Sequence, residues 1–394
     1  MKYDFDRIID RRGTDCEKWD GVKADLPMWV ADMDFEAAPC IREALQKRLD
    51  HGVFGYSYVP DEWYDAYIHW WEKRHGYRIE KDWLIFCTGV IPAISSIVRK
   101  LTTPNENVVI LSPVYNIFYN SIINNGARVL ECELKENAAG AGYGIDFDDL
   151  ERKLSDPQTS LMIFCNPHNP VGKIWDKETL ARVGELAYKY HVTVISDEIH
   201  CDIVKPGCGY VPFPSASEHC AEICIQCIAP TKAFNIAGLH TAAVCVQDSF
   251  LRHKVWRALN TDEVAEPNAF AVTAAIAAFE HGEEWLDGLC DYVFENRRIA
   301  AEFIRSGIEG IRVVDGDATY LMWLDVLGIC ADGRRFNAYL QRHEGLMLSD
   351  GCIYGKGGEK FLRLNVACPR SRLMDGLERL KRGAAAMLNE KNVK

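Results

Sequence analysis

Lys232 is the residue whose position first suggests chemistry. It lies beside Thr231 in a turn marked by Pro230 and Gly238, directly after the apolar run 223–228. An amine that is held at a strand end and partly desolvated can lose its proton near neutral pH, and it can then attack a carbonyl group to form a Schiff base. The alternative is an exposed loop lysine, because most lysines lie at the surface. The partners that Schiff-base chemistry requires therefore have to be sought elsewhere in the chain.

Two polar segments follow other apolar runs. Asp197 and Glu198 come after the run 192–196. An aspartate at this place can keep a ring nitrogen protonated, whereas the alternative is a helix N-cap or a solvated turn. The segment 166–172 contains two Asn-Pro steps and a glycine, which predict a rigid turn. Such a turn can present the side-chain amide of Asn169 firmly to a ligand.

Three further residues complete the set of chemical groups. Gly89 lies between a predicted strand and a helix, where free backbone N–H groups and the helix dipole can bind a phosphate, although the segment lacks the spacing of a P-loop. Tyr115 is expected to open a helix and can lay its ring on an aromatic ligand, or it is a core tyrosine. Arg363 lies in a largely apolar strand and can grip a carboxylate through two parallel hydrogen bonds. The alternative for Arg363 is an edge-strand arginine that faces water.

These residues need a scaffold that brings strand ends together, and the apolar pattern predicts one. Short β-type runs occur at 84–87, 108–111, 128–132, 161–165, 192–196, 223–228 and 242–246. Helical patterns alternate with several of these runs, for example at 91–101, 115–125 and 177–190. The alternation predicts an α/β fold in which a mostly parallel, seven-stranded sheet is covered on both faces by helices. Ligands bind at the carboxyl ends of the strands in such sheets, where the candidate residues are expected.

A second, smaller α+β unit is predicted downstream. A long amphipathic helix at about 284–306 leads into it, and its main elements are strands near 311–314, 319–324 and 361–365 with helices near 335–343 and from about 372. The first forty residues are irregular but rich in aromatic side chains, which favours an extended segment lying on another surface over a disordered arm. We therefore expect a large domain at 45–286 and a small domain that combines the arm 1–44 with 287–394. The Gly/Ala-rich residues 135–144 come nearest to a linker.

Composition and charge exclude several classes of protein. The chain has 394 residues, of which 48% are hydrophobic and 26% charged, as in ordinary soluble proteins. Its 57 acidic and 45 basic residues give a net charge of -12, which argues against binding nucleic acid or an anionic membrane. The start has no signal-peptide pattern and no window has the length of a membrane span, so a cytoplasmic location is expected.

The cysteines indicate reduced thiols rather than disulfides. Their number, fifteen, is odd, and several lie inside apolar runs. Cys224 and Cys227 form a CxxC pair, but no second pair stands at ligand spacing and the segment alternates like a strand. A zinc or redox role for this pair is the alternative, and no metal site is predicted.

Taken in order, the motifs resemble the fold-type I enzymes that depend on pyridoxal 5'-phosphate (PLP), the aspartate aminotransferase superfamily. The resemblance covers essentially the whole chain. It is carried by Thr-Gly (88–89), Ser-Pro-x-Tyr (112–115), Asn-Pro-x-Asn-Pro-x-Gly (166–172), Ser-Asp-Glu-Ile-His (196–200), Thr-Lys-x-Phe-Asn-x-Ala-Gly (231–238) and Arg-Leu-Asn (363–365). Within the superfamily, residues 18–20, 27–35 and 197–200 resemble the cystathionine β-lyase type of C–S lyase.

The resemblance implies a role for each candidate around the cofactor ring. Lys232 is implied to form the Schiff base with PLP, and Asp197 to pair with the pyridine nitrogen. Asn169 is implied to bond the ring oxygen, and Tyr115 to stack on the ring. His200 stands where many relatives carry a tyrosine that donates to the ring oxygen, and it can replace that donor but titrates differently.

The resemblance also implies the phosphate and substrate contacts. The implied phosphate-binding residues are Gly89, Val90, Ile91, Thr231 and, from the other subunit of a homodimer with shared active sites, Tyr56. Arg363 is implied to hold the α-carboxylate of the substrate, with Asp32 and Tyr56 nearby. Two usual phosphate contacts are absent, because Ala229 replaces a serine and His240 an arginine. Cofactor affinity is therefore expected to be modest.

Three functions are compatible with these residues. The first is α,β-elimination on cystathionine, cysteine or S-substituted cysteines, which gives a thiol, pyruvate and ammonia. The second is a class I/II aminotransferase, since nothing at Lys232 separates the two reactions. The third is a regulatory protein that retains the cofactor fold and acts through a protein partner. The stretch 29–35 favours the lyase.

Overall fold

The computed structural model describes residues 2–137 and 142–392. The strands in this part of the chain are β1 (Leu26–Pro27), β2 (Leu84–Cys87), β3 (Asn107–Ser112), β4 (Arg128–Glu133), β5 (Lys135–Glu136), β6 (Tyr143–Gly144), β7 (Thr159–Cys165), β8 (Thr193–Asp197), β9 (Cys224–Ile228), β10 (Ala242–Cys245), β11 (Arg312–Val313), β12 (Leu321–Asp325), β13 (Leu346–Met347), β14 (Ser349–Asp350) and β15 (Phe361–Asn365). The helices are α1 (Pro39–His51), α2 (Asp61–His75), α3 (Val90–Leu101), α4 (Ile117–Ile123), α5 (Phe147–Leu154), α6 (Lys177–Lys189), α7 (Glu218–Ile223), α8 (Ser249–Thr261), α9 (Ala271–His281), α10 (Glu283–Gly307), α11 (Gly333–Tyr339) and α12 (Arg370–Asn392). Within these residues, no helix is both long and apolar enough to cross a bilayer.

The central sheet has seven strands in the order β2-β10-β9-β8-β7-β3-β4. Strands β9, β8, β7, β3 and β4 pair in parallel, whereas β10 runs antiparallel to both of its neighbours, β2 and β9. The predicted mostly parallel, seven-stranded sheet is therefore confirmed. Because β10 is reversed, its amino end meets the carboxyl ends of the other strands, so the residues before Ala242 join the ligand-binding edge.

Apolar side chains cover both faces of this sheet. Along β7, Leu161, Ile163 and Cys165 belong to one core, and Met162 and Phe164 belong to the other. Helices α3, α4 and α8 pack on the first face, and α5, α6 and α7 on the second. A strand whose side chains are buried on both faces reads as a continuous apolar run, which is why these strands were predictable.

The CxxC pair is divided between the two cores. Cys224 belongs to the second core and Cys227 to the first, because residues three apart on a strand point to opposite faces. Two thiols on opposite faces of a sheet cannot bind one metal ion or form a disulfide with each other. All fifteen cysteines are free thiols.

A second sheet lies in the C-terminal part of the chain. Its four antiparallel strands follow the order β11-β12-β15-β14. The N-terminal segment joins this part of the fold, since β1 pairs in parallel with β13 and Leu26 opposes Leu346. A third core extends from Phe5 and Trp19 through α1, α2, α9 and α10 to the second sheet. The irregular N-terminal segment thus lies on another surface, as predicted, and the domain boundaries at 45–286 and 287–394 stay predictions.

Several predicted boundaries need correction. Helix α4 begins at Ile117, so Tyr115 lies in the turn before it rather than opening it. Strand β12 begins at Leu321 rather than at Thr319, because Thr319 has a left-handed backbone with a φ of 64°. Ile223 ends α7 and precedes β9, and α5 and α8 were not predicted. Of the predicted linker, 138–141 lie outside the described residues, and β5 and β6 flank them as a small antiparallel pair.

Candidate active site

A cavity of about 210 Å³ opens at the ligand-binding edge of the seven-stranded sheet. The residues that line it are Ala31, Thr88, Gly89, Val90, Ile91, Pro92, Tyr115, Cys165, Asn169, Asp197, Ile199, His200, Thr231, Lys232, Ala237, His240 and Thr241. Nine of the twelve predicted site residues are among them. The structure therefore brings together side chains that come from the ends of several strands.

Lys232 follows β9 in a turn that is fastened to the N-terminal segment. Its Nζ donates a hydrogen bond to the backbone oxygen of Ala31 at 2.7 Å. The neighbouring Asn235 donates to the backbone oxygens of Met33 and Phe35 and accepts from the Met33 N–H. Burial lowers the pKa of Lys232, which favours the neutral amine that a nucleophile requires.

Asp197 is the last residue of β8 and is 3% exposed. One carboxylate oxygen accepts the Ile199 N–H at 3.2 Å, and among the described residues no basic side chain forms an ion pair with it. Burial, together with the charge of the neighbouring Glu198, raises the pKa of Asp197 to about 7. A buried carboxyl group without a cation is suited to a ligand that brings a positive charge, such as a protonated ring nitrogen.

Glu198 occupies a different environment from its neighbour. It is fully buried and accepts hydrogen bonds from Ser196 Oγ at 2.7 Å, Gln226 Nε2 at 2.6 Å and the Phe213 N–H at 2.9 Å, and also from the Tyr210 hydroxyl. Four donors satisfy this carboxylate within the protein. Glu198 thus anchors the turn that follows β8.

Arg363 reaches the edge of the cavity from β15. Its guanidinium donates to Asn169 Oδ1 at 3.1 Å and to the Trp29 backbone oxygen at 2.9 Å, and it lies over the Tyr354 ring at 4.9 Å. Its Nε is buried without a partner among the described residues. Because Asn169 uses its oxygen to accept from Arg363, its amide nitrogen is the atom that can donate into the cavity.

His200 is a neutral imidazole in this site. Burial, together with the positive charges of Lys232 and Arg363, lowers the pKa of His200 to about 3. Its Nδ1 is buried without a partner in the part of the chain that the structure describes. A neutral ring can donate from one nitrogen and accept at the other, so His200 is able to bond a ring oxygen.

One end of the cavity is formed by the start of α3. Gly89 is the N-cap residue of this helix, no side chain caps its first N–H groups and its first turn has no acidic residue. Thr231 and His240 line the same cavity. The free N–H groups and the positive end of the helix dipole are suited to a phosphate. Ala229 is buried in the core and does not line the cavity.

All three predicted substrate residues, Arg363, Tyr56 and Asp32, lie outside the cavity lining. Tyr56 is fully exposed, on a segment where Val53, Phe54 and Tyr58 are exposed as well. Asp32 accepts from Arg11 at 2.7 Å and follows Ala31, whose oxygen faces Lys232. Neither residue therefore lines the cavity of this chain.

Comparison with known proteins places this chain in a family. The model of the family described as aminotransferase class I and II matches residues 27–380, which is most of the chain. The chain belongs to that family. It is 42% identical over 383 residues to cystathionine beta-lyase PatB of Bacillus subtilis (strain 168), and the alignment covers 96% of this chain and 98% of the relative.

Two further similarities extend the comparison. Protein MalY of Escherichia coli (strain K12) is 35% identical over 383 residues, with 95% of this chain and 97% of the relative covered. The crystal structure of cystalysin from Treponema denticola, which contains a pyridoxal 5'-phosphate cofactor, has a TM-score of 0.94 and 31% identity, with 98% of this chain and 100% of that chain covered. The predicted fold type and family branch of this aminotransferase class I and II member are thereby confirmed.

The structure also shows site residues that the sequence did not reveal. The Ala31 backbone oxygen accepts from both Lys232 and the Tyr320 hydroxyl. A backbone carbonyl has no sequence signal. Tyr320 lies in a predicted apolar strand, where a tyrosine is expected to be an ordinary core residue. Asp34, within the 29–35 motif, is 2% exposed and accepts from Trp19 Nε1 at 3.0 Å, and it pairs with Lys18 at 3.2 Å. These buried ion pairs fix the segment that carries Ala31.

Proposed function

We propose that this chain is a PLP-dependent carbon–sulfur lyase of the cystathionine β-lyase type. It performs α,β-elimination on cystathionine, cysteine or S-substituted cysteines and gives a thiol, pyruvate and ammonia. The observation that carries the proposal is the 42% identity, over 96% of the chain, to a cystathionine beta-lyase. The cavity supports it, because an amine with a lowered pKa and a buried carboxyl group without a cation line the same space.

The residues present fit PLP at both of its polar ends. When bound, PLP accepts electrons from the substrate Cα through its protonated ring, which allows loss of the Cα proton and departure of a β-substituent. Asp197 would hold the proton at the ring nitrogen, and this positive charge would in turn favour the ionised carboxylate. Asn169 and His200 would bond the ring oxygen, and Tyr115 would pack on the ring face. The start of α3 and Thr231 would bind the phosphate.

Lys232 has two tasks in the proposed reaction. Its neutral amine would hold the cofactor covalently at the cofactor aldehyde, and it would be free once the substrate amine has taken its place. The released amine then acts as the base that removes the Cα proton. Desolvation suits both tasks, because each requires an amine that is unprotonated near neutral pH.

Arg363 is proposed to orient the substrate through its α-carboxylate. The guanidinium is held from two sides by Asn169 and the Trp29 backbone oxygen, so its remaining N–H groups point in a fixed direction. A fixed fork aligns the Cα–H bond with Lys232, and orientation of this kind accounts for a large part of many rate enhancements. We also propose Asp32 and Tyr56 as substrate contacts, with Tyr56 supplied across a homodimer interface.

Three organisational features are part of the proposal. The exposed apolar segment with Val53, Phe54, Tyr56 and Tyr58 supports a homodimer with shared active sites, because such patches commonly mark interfaces. The free cysteines are compatible with a cytoplasmic location. The domains are proposed at 45–286 and at 287–394 together with 1–44.

The lyase proposal is tested by a parallel assay of the purified protein with bound cofactor. Cystathionine and cysteine are each expected to yield pyruvate and a thiol, and Lys232→Ala is expected to abolish both products and the visible band of lysine-bound PLP. Lys177→Ala, at an exposed position at the start of α6 and outside the cavity lining, serves as the matched control and is expected to retain both. Absence of pyruvate and thiol from every thioether, with cofactor bound, would rule the lyase out.

An aminotransferase is the second candidate function, favoured by the family to which the chain belongs. Both reactions use the same amine, carboxyl group and arginine. The same assay separates them, because transfer of the amino group to a 2-oxo acid produces a new amino acid without pyruvate from the thioether. Ping-pong kinetics with a 2-oxo acid would favour the aminotransferase.

A further inference from the structure

Two donors share one backbone oxygen beside the reactive lysine. The Ala31 oxygen accepts from Lys232 Nζ at 2.7 Å and from the Tyr320 hydroxyl at 2.9 Å. Tyr320 is completely buried, and its ring meets the His200 ring edge-on at 6.2 Å. A carbonyl oxygen has two lone pairs, so both bonds form at once. Tyr320 therefore fixes the direction of the lone pair that the lysine uses.

The backbone before Tyr320 is held in an unusual conformation. Thr319 is β-branched and completely buried, yet its φ is 64°, in the left-handed region that such residues rarely enter. Buried Arg297 on α10 donates to the backbone oxygens of Gly316, Ala318, Thr319 and Leu321. The Thr319 N–H donates to the Ile203 oxygen at 2.8 Å. Strained backbone of this kind persists where surrounding contacts over-determine it, and it concentrates at functional sites.

We propose that Tyr320 is a positioning residue for Lys232. It orients the Ala31 carbonyl so that this oxygen receives the lysine amine whenever the amine is not bonded to cofactor. The inference rests on the proposed function, in which Lys232 is released during each turnover. The hydroxyl does not touch substrate or cofactor in this role, and it acts only through the carbonyl.

The expected effect follows from the charge on the amine. A well-directed acceptor stabilises the protonated amine, so weakening it lowers the pKa of Lys232 below its value in the wild-type protein. The other groups that act on this amine are Asp32, Asp197 and Glu17, which raise its pKa, and Arg363, which lowers it, and the neutral His200 ring also faces the amine. None of these groups is altered when the Tyr320 hydroxyl is removed. A shift in the pKa of Lys232 would therefore reflect a change in the orientation of the Ala31 carbonyl.

The test is Tyr320→Phe, which keeps the ring and removes only the donor. Full-length protein is stripped of cofactor, PLP is added back, and the rate of appearance of the visible band is measured against pH. We expect the midpoint of this profile to fall by about 0.5 to 1 pH unit, since the bond from the Lys232 amine is weakened and not removed, and complete loss of a hydrogen bond to a charged group corresponds to about 1 to 2 pH units. In the reloaded enzyme, kcat on cystathionine should fall several-fold while KM changes less than about twofold, because Arg363 is untouched.

Tyr292→Phe is the matched control. Tyr292 is also a buried tyrosine, and its hydroxyl donates to Asp6 far from the cavity. Its profile should match the wild type, and thermal unfolding should show that all three proteins are folded. An unchanged midpoint in Tyr320→Phe, or an equal shift in Tyr292→Phe, would overturn the inference. A wild-type protein that develops no visible band with PLP would instead defeat the proposed function, so the two failures are distinguishable.

Discussion

Asp197 and Glu198 are adjacent in the sequence, but their carboxyl groups differ in how many hydrogen bonds they accept from the protein. Glu198 is satisfied by four internal donors, whereas Asp197 receives one backbone N–H and faces the cavity. The internal donors of Glu198 leave no capacity for a ligand, so the adjacent acids divide into an anchor and a binding group. The sequence indicated Asp197 as the binding group, but it did not identify Glu198 as the anchor, because Gln226 and Phe213 reach Glu198 only in the folded chain.

The raised pKa of Asp197 predicts a specific pH dependence of stability in the cofactor-free protein. Its pKa is about 7 in the fold against 3.8 as the ordinary value, so between about pH 4 and pH 7 the folded state holds a proton that the unfolded state has lost. The contribution of Asp197 to stability must therefore fall as pH rises through this window, by up to a few kcal/mol, whereas the lowered pKa values of His200 and His168 act in the opposite direction and are common to the wild type and the variant. Asp197→Asn should remove this decline. The free energy of unfolding of the variant, relative to that of the wild type, should therefore be higher at pH 8 than at pH 5.

Urea unfolding of the cofactor-free proteins at pH 5 and pH 8 measures this difference. Asp82→Asn changes an exposed carboxylate and is the matched control, with no comparable pH-dependent gain expected. If the free energy of unfolding of Asp197→Asn differed from that of the wild type by the same amount at both pH values, the carboxyl group would not be a destabilised buried acid.

The part of the site that could be predicted consists of reactive or polar side chains that directly follow predicted strands. Lys232, Asp197 and Asn169 could be found because apolar runs mark strands, and the carboxyl ends of parallel strands meet at one edge. The Ala31 oxygen could not be found, since every residue has a backbone carbonyl. Tyr320 carried no signal, because the contact between its hydroxyl and Ala31 joins residues 289 positions apart.

At the scale of elements, buried strands were the most predictable and tertiary constraints the least. The predicted bounds of β2 and β15 agree with the structure, because each is a short apolar run between clear breaks. The start of β12 was misplaced, because Arg297, on a distant helix, holds Thr319 out of the strand conformation. Helix α8 was missed although Asp248 caps it by accepting the Leu251 N–H. Local pattern thus sets strand cores, whereas distant donors set several boundaries.

The start of α3 gives a prediction about cofactor affinity. A Cβ at Gly89 would lie 3.2 Å from Pro92 Cδ, so Gly89→Ala should shift the first turn and misalign its free N–H groups. We expect the Kd for PLP, measured by absorbance titration of cofactor-free protein, to rise about three- to tenfold. The control is Gly209→Ala, where a Cβ would meet nothing within 4 Å. Equal affinities of the two variants would show that α3 does not bind the phosphate.

At the scale of the whole molecule, one predicted contact, that of Tyr56 with the cofactor phosphate, is not formed within the single chain. Tyr56 is exposed on an apolar segment, whereas the other proposed phosphate ligands line the cavity. A site completed by a second copy would explain both facts. The sequence suggested this arrangement only through the family resemblance, because no local pattern identifies a residue that acts in another subunit.

Subunit mixing tests the shared site. Lys232→Ala and Tyr56→Ala are each expected to be almost inactive alone. When equal amounts are unfolded together and refolded, half of the dimers are hybrids and each hybrid has one intact site, so about one quarter of the wild-type activity should return. Light scattering should show a dimer for every protein. Mixtures that remain inactive despite forming hybrids would show that Tyr56 does not act across the interface.

The hydrogen bond from Arg363 to the Trp29 backbone oxygen also determines when the site can form during biosynthesis. Trp29 leaves the ribosome early, but Arg363, which bonds its carbonyl, is translated 334 residues later. At about 5 to 20 residues per second, this delay is on the order of tens of seconds. Once Lys232 has been translated, the nascent chain holds it without the contacts from β15 that fasten the segment carrying Ala31 until Arg363 follows. Maturation of the lysine pocket is therefore among the last events of translation, and a chain released before Arg363 would lack it.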